Sequence, residues 1–138
     1  MIKNNKKLVF HLNVLGAGES NPILLRIHLF PEFTKIDFGY VTTDLYDNGG
    51  WIKIAPETFI ENVATKERFT MTNAIGITVA PALRNFESKK DWQYFSLHFP
   101  PMKQKDCTLN IVEIENGTKN DFNYYGIELK MADGVEVM

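Results

Sequence analysis

Cysteine is almost missing from these 138 residues: Cys107 stands alone, which excludes an internal disulfide and any multi-cysteine zinc site. An excess of positive charge is missing too. Fifteen Lys and Arg face seventeen Asp and Glu, a net charge of −2 with no long-range field to gather DNA or RNA, so no nucleic-acid partner is expected. No apolar run approaches the roughly 20 residues that a membrane-spanning helix needs. Helical periodicity is absent as well, since no window offers a long, capped, amphipathic stretch; at most a short helical turn fits within 81–90.

What is present is alternation with period two. In 23-ILLRIHLF-30, Ile23, Leu25, Ile27 and Leu29 form an apolar face with Arg26 and His28 opposite. In 34-TKIDFGYV-41, Ile36, Phe38 and Tyr40 alternate with Lys35, Asp37 and Gly39, and in 92-WQYFSLHF-99, Phe95, Leu97 and Phe99 alternate with Tyr94, Ser96 and His98. The N-terminal run of Leu8, Phe10, Leu12 and Val14 faintly imitates a signal peptide but reads better as a strand. Location stays open, cytoplasmic as the sequence stands and exported if a leader precedes it. Further strands are expected at 51–54, 57–63, 67–72, 75–80, 107–114 and 122–130.

Turn chemistry separates these runs at 16–22, 47–50, 84–91, 99–106 and 115–121, all rich in Gly, Asn, Asp, Pro or Ser. Pro56 restricts Ala55 to extended conformations, so 51-WIKIAPETFI-60 is expected to be two strands meeting at a corner, with Glu57 pointing to water or accepting a backbone N–H. Many short strands at this spacing predict one all-β domain over 1–138, an antiparallel β-sandwich or barrel. Phe38, Phe95, Leu97, Phe99, Ile111 and Ile127 are its expected core, and 131–138 is expected to be a loosely held tail.

Chemistry-bearing residues are few. His11, His28 and His98 each lie opposite the apolar face of a strand, and neighbouring strands would let their rings converge. No local ligand pair such as HxH exists, and no metal site and no cofactor are expected. Ser20, Ser88 and Ser96 lack a nucleophile elbow. Gly16-Ala17-Gly18 is followed by no helix or Lys-Ser/Thr pair and is no phosphate loop. Asn116-Gly117-Thr118 matches a glycosylation sequon and reads as a turn. Cys107, inside an apolar run, reads as a small buried hydrophobe. Trp51, Trp92 and Tyr94, with Tyr124 and Tyr125, are the aromatics able to bind a peptide or a sugar, or else to pack. Glu113 interrupts an apolar strand where the alternation of 107-CTLNIVEI-114 slips. A bulge there would set its carboxylate beside unpaired backbone N–H groups, a structural role; a second acid beside it would suit glycoside hydrolysis instead.

The order of 95-FSLHFPPM-102, 109-LNIVEIENG-117 and 122-FNYYGIEL-129 resembles the immunoglobulin-like β-sandwich domains of uncharacterised Bacteroidetes proteins, which stand alone or precede a thioredoxin-like domain. The stretches 34–41, 51–60 and 75–81 are similar to the same pattern. The resemblance implies an immunoglobulin-like fold, no catalytic residues and a structural Glu113. The expected function is a non-catalytic binding or accessory module for a protein partner, against a carbohydrate-binding module using exposed aromatics or a small carboxylate-based hydrolase.

Overall fold

The computed structural model describes residues 7–14, 22–41, 51–75, 78–79, 84–85, 92–115 and 123–137. The expected turns at 16–21, 47–50 and 116–121 lie outside them, as do the side chains of Trp51 and Trp92.

The strands are β1 (Lys7–Val14), β2 (Ile23–Leu29), β3 (Thr34–Val41), β4 (Trp51–Ile54), β5 (Phe59–Asn62), β6 (Arg68–Thr70), β7 (Asn73–Ile75), β8 (Thr78–Val79), β9 (Arg84–Asn85), β10 (Trp92–Phe99), β11 (Cys107–Val112), β12 (Tyr124–Leu129) and β13 (Val135–Val137). An antiparallel six-stranded sheet runs β13-β1-β2-β3-β10-β7, and an antiparallel four-stranded sheet runs β12-β11-β5-β6. The two close face to face on one core. Phe10, Leu24, Ile27, Ile36, Phe38, Phe95, Leu97 and Phe99 come from the first sheet, and Ile60, Leu109, Ile111, Tyr124, Ile127 and Leu129 from the second. The chain is all-β, as its period-two alternation requires.

All six residues expected in the core are buried, none more than 4% exposed. Phe38 and Phe95 stack with ring centroids 4.9 Å apart, and Phe38 touches Tyr124 of the other sheet at 5.5 Å. The sheets therefore meet through aromatic contact, beyond what area alone contributes.

Three local features differ from the sequence reading. Where two strands were expected, at 67–72 and 75–80, three short ones form: β6 belongs to the four-stranded sheet, β7 to the six-stranded one, and β8 pairs with β4 in parallel, within a small sheet completed by β9. Residues 84–85, expected as turn, pair with Trp51 and Ile52. Residues 131–137, expected as a loosely held tail, form a 3-10 turn at Met131–Asp133 and then β13 on the edge of β1. That crossing is tied at its start by the Met131 N–H, which donates to Asp106 Oδ1 at 2.7 Å.

The corner at 51–60 has the expected form. Thr58 N–H and Thr58 Oγ1 both donate to the Ala55 carbonyl, at 3.2 and 2.6 Å, closing a turn with Pro56 and Glu57 exposed at its tip.

Candidate functional site

Because side chains alternate, burying Ile36 and Phe38 turns Lys35, Asp37 and Gly39 to the outer face of the six-stranded sheet. The same logic turns out Arg26 and His28 of β2, and Tyr94, Ser96 and His98 of β10. Register then sets two cross-strand rows: Val9, His28, Lys35, His98 and Asn73 in one, His11, Arg26, Asp37, Ser96 and Ile75 in the next. All three histidines therefore share a face. They do not converge: His28 and His98 are separated by the Lys35 strand and His11 lies in the other row. No group of three or more His, Cys, Asp or Glu able to hold a metal occurs among the described residues.

Asp37 is the centre of this face, 6% exposed despite its charge. Its Oδ2 accepts from His28 Nε2 at 2.7 Å and meets Arg26 Nε at 3.1 Å. Its Oδ1 accepts from Ser96 Oγ at 2.7 Å, with Lys35 Nζ at 3.6 Å. Burial pushes the carboxyl up; the hydrogen bonds of His28 and Ser96, with the electrostatic pull of His28 and Lys35, outweigh it and hold Asp37 well below the usual carboxylate range. Sequence reasoning missed this residue. Asp37 looked like one polar position of one strand; Lys35 is its neighbour two residues back on that strand, and only the strand order brings Arg26, His28 and Ser96 around it.

The trio of Ser96, Asp37 and His28 has the residue types of a hydrolytic triad in the wrong order. In a nucleophilic triad the histidine lies between hydroxyl and carboxylate and takes the hydroxyl proton. Here the carboxylate lies between, and Ser96 donates into a group that is a weak base. The arrangement can hold charge and fix the three strands.

Around this centre lie aromatic rings. Phe30 and Phe33, at the two ends of the β2–β3 turn, meet edge to face at 5.2 Å; Phe33 stacks on His98 at 4.7 Å and Phe30 meets the edge of His28 at 5.4 Å. Lys7 Nζ stands 5.9 Å over the Phe30 ring. Burial first, and then the charge of Lys35, lower the His98 imidazole, against an opposite pull from Asp37. Towards the β7 edge the face becomes apolar. Tyr94 is 64% and Ile75 51% exposed, and they are diagonal cross-strand neighbours because Ile75 pairs with Ser96. A Cβ at Gly39 would come within 3.3 Å of the Tyr94 ring and 3.1 Å of Leu25 Cδ1, so glycine is what lets the ring settle on the sheet.

Glu113 lies just past β11. Its Oε2 accepts the Ala55 N–H at 2.8 Å, joining the corner that leads into β5 to the adjacent end of β11 in the same sheet. Beside it Asn123, 6% exposed and unremarked in the sequence, accepts the N–H groups of Glu113 and Ile114 on Oδ1 at 2.8 and 3.2 Å and donates to the Ile114 carbonyl at 2.9 Å. The bulge expected at Glu113 sits across the ladder instead: Leu109 and Ile111 face Ile127 and Tyr124, which leaves an extra residue on β12 where Gly126 has φ +67°. Tyr124, one of the candidate binding aromatics, is core. It is 2% exposed, with its hydroxyl donating to the Pro22 carbonyl at 2.7 Å, and burial foremost, then Glu113, raises its phenol. Tyr125 is exposed.

Cys107 is half-buried, where burial was expected, because it borders a cleft of about 190 Å³ between the β5–β6 turn and the segment before β11. Phe69 and Met102 line the same cleft; Lys103 and Lys105 at its lip are balanced by Glu67 and Asp106, so no charge selects a ligand. Burial, and then Asp106, push the thiol up, away from reactivity.

Compared with protein-family models, with curated proteins and with solved structures, the chain matches none of them. Among the described residues no helix is long and apolar enough to cross a membrane.

Proposed function

We propose that this chain is a non-catalytic binding or accessory module for another protein, built on an immunoglobulin-like sandwich as its resemblance to the Bacteroidetes domains implies. The observation that carries this reading is the Tyr94–Ile75 pair. Two large apolar side chains stand more than half exposed, side by side, at the edge of the longer sheet. Aromatic anchors of this kind dominate protein interfaces. The groups that acid–base chemistry would need are bound into the scaffold: Asp37 by His28, Ser96, Arg26 and Lys35, and Glu113 by the Ala55 N–H. A hydrolase would instead leave a carboxylate in apolar surroundings facing a cleft.

Retention of a protein from a lysate of the source organism, compared between the parent chain and a Tyr94→Ser/Ile75→Ser variant of equal melting temperature, tests the reading. A partner lost with the variant supports it. Turnover of a panel of glycoside, ester and peptide substrates, or retention by an immobilised polysaccharide that depends on Tyr94, would overturn it.

A further inference from the structure

The charges of the two outer faces have opposite sense. On the four-stranded sheet Glu61, Glu115 and Glu128 lie outside with Arg68, which is occupied by Glu61 at 3.1 Å and Glu115 at 2.7 Å. On the six-stranded sheet the outward cations among the described residues are Lys7, Arg26 and Lys35, and the one acid described with them is Asp37, buried and saturated. Glu32 stands at the rim, on the β2–β3 turn. In a chain of net charge −2, this face therefore shows solvent positive charge and aromatic or apolar surface, and little negative charge.

From this we infer that the outer face of the six-stranded sheet docks a protein surface rich in carboxylates, whose acids meet Lys7, Arg26 and Lys35 while its apolar side chains cover Tyr94 and Ile75. The inference rests on the protein-binding reading and names the chemistry of the partner.

Three further points support it. The cations are already positioned, Arg26 by its Nε contact to Asp37, Lys35 by the same carboxylate, and Lys7 by the Phe30 ring, which lowers the entropy lost when a partner orders them. Arginine, tyrosine and phenylalanine are enriched in interfaces, and Arg26, Tyr94, Phe30 and Phe33 supply them on this face. The face spans about 600 Å² from the strand spacing and rise, below the roughly 800 Å² per partner of a standard interface, which fits a transient contact steered by charge. A nucleic acid is the poorer occupant: its affinity grows with the number of phosphates neutralised, and the described face offers three cations, two of them already leaning on Asp37.

Amide chemical-shift mapping with a short glutamate- and leucine-rich peptide tests this. The expected result is a set of shifts gathered on β1, β2, β3, β7 and β10, fading at high salt, and weakened roughly tenfold in a Lys7→Gln/Lys35→Gln variant and again in Tyr94→Ser/Ile75→Ser, by the loss of charge contacts and of anchors. Thermal melting of each variant establishes that it is folded; Lys7→Gln alone, remote from Asp37, serves if the double variant is not. Shifts on the four-stranded face, or on neither face, would overturn the inference while leaving the binding-module reading to its own retention experiment. Equal or tighter binding of a single-stranded oligonucleotide or of phosphatidylserine vesicles would overturn it as well.

Discussion

Asp37 and His28 lie diagonally on adjacent strands, two residues apart in register, and His28 Nε2 donates to the Asp37 carboxylate at 2.7 Å in the middle of a sheet face. A carboxylate is acceptor-only, so this contact fixes which histidine nitrogen carries the proton. The other, Nδ1, is buried without a hydrogen-bond partner among the described residues.

The pair predicts acid sensitivity. The folded Asp37 carboxyl titrates below its ordinary value of about 3.9, so its contribution to stability is full above that value and is lost as pH falls towards the folded one. Stability measured by urea unfolding should therefore decline from about pH 4 downwards, and Asp37→Asn should flatten that part of the curve. The same variant removes the shared acceptor of Arg26, His28, Lys35 and Ser96; since Arg26 and Lys35 keep access to water, it should cost about 1–3 kcal/mol at neutral pH. An unaltered acid limb in Asp37→Asn would assign the sensitivity elsewhere.

Glu113 predicts a graded pair of variants. Glu113→Ala leaves the Ala55 N–H, buried at the corner, without its carboxylate acceptor and should cost about 1–3 kcal/mol. Glu113→Gln keeps an oxygen acceptor and loses the charge, so it should fall between the parent and the alanine variant. Equal stability of all three by chemical denaturation would remove Glu113 from the scaffold.

Phe99 is wholly buried between the sheets, and Phe99→Ala should cost about 3–5 kcal/mol, read as a lowered melting temperature. This position also shows how far the sequence could be read. Where one face of a strand is strongly apolar, as in Phe95, Leu97 and Phe99, a one-residue slip would expose the whole set, so burial follows from the string alone. The Asp37 centre was not legible in that way, because Arg26, His28 and Ser96 become its neighbours only through the order β2-β3-β10. Neither was the split of 67–80 between sheets, since short runs such as Arg68–Thr70 and Asn73–Ile75 alternate too briefly to declare a partner. Glu113 was legible as an irregularity, yet its cause lies on the paired strand, which the alternation of β11 alone does not display.

Metal and thiol reagents should leave the fold unmoved. Zinc or EDTA should not shift the melting temperature, because Lys35 stands between His28 and His98 and His11 belongs to the other row. Iodoacetamide should modify Cys107 slowly near neutrality and faster as pH rises, since burial and then Asp106 keep the thiol protonated. A chelator-induced drop in melting temperature would point to ligands drawn from beyond these residues.

Gly126 separates backbone strain from packing. Its φ of +67° is left-handed, and a Cβ built there meets nothing within 4 Å, so a substitution crowds no neighbour. Any loss in Gly126→Ala is then conformational, about 1–2 kcal/mol, since alanine resists this region while glycine enters it freely. Asparagine tolerates left-handed backbone better than alanine, so Gly126→Asn should recover part of the loss. The position also aligns the bulge: the Gly126 N–H donates to Asn110 Oδ1 at 2.9 Å, across the ladder, and that contact should persist in both variants if the extra residue on β12 is kept. Amide exchange at residue 126 reads the contact and urea unfolding reads the cost. A stable Gly126→Ala with fast exchange there would mean that β12 slips its register to escape the strain, which would carry Ile127 and Leu129 out of the core. A destabilised Gly126→Ala with exchange still slow, and Gly126→Asn between it and the parent, is the outcome that the left-handed bulge requires.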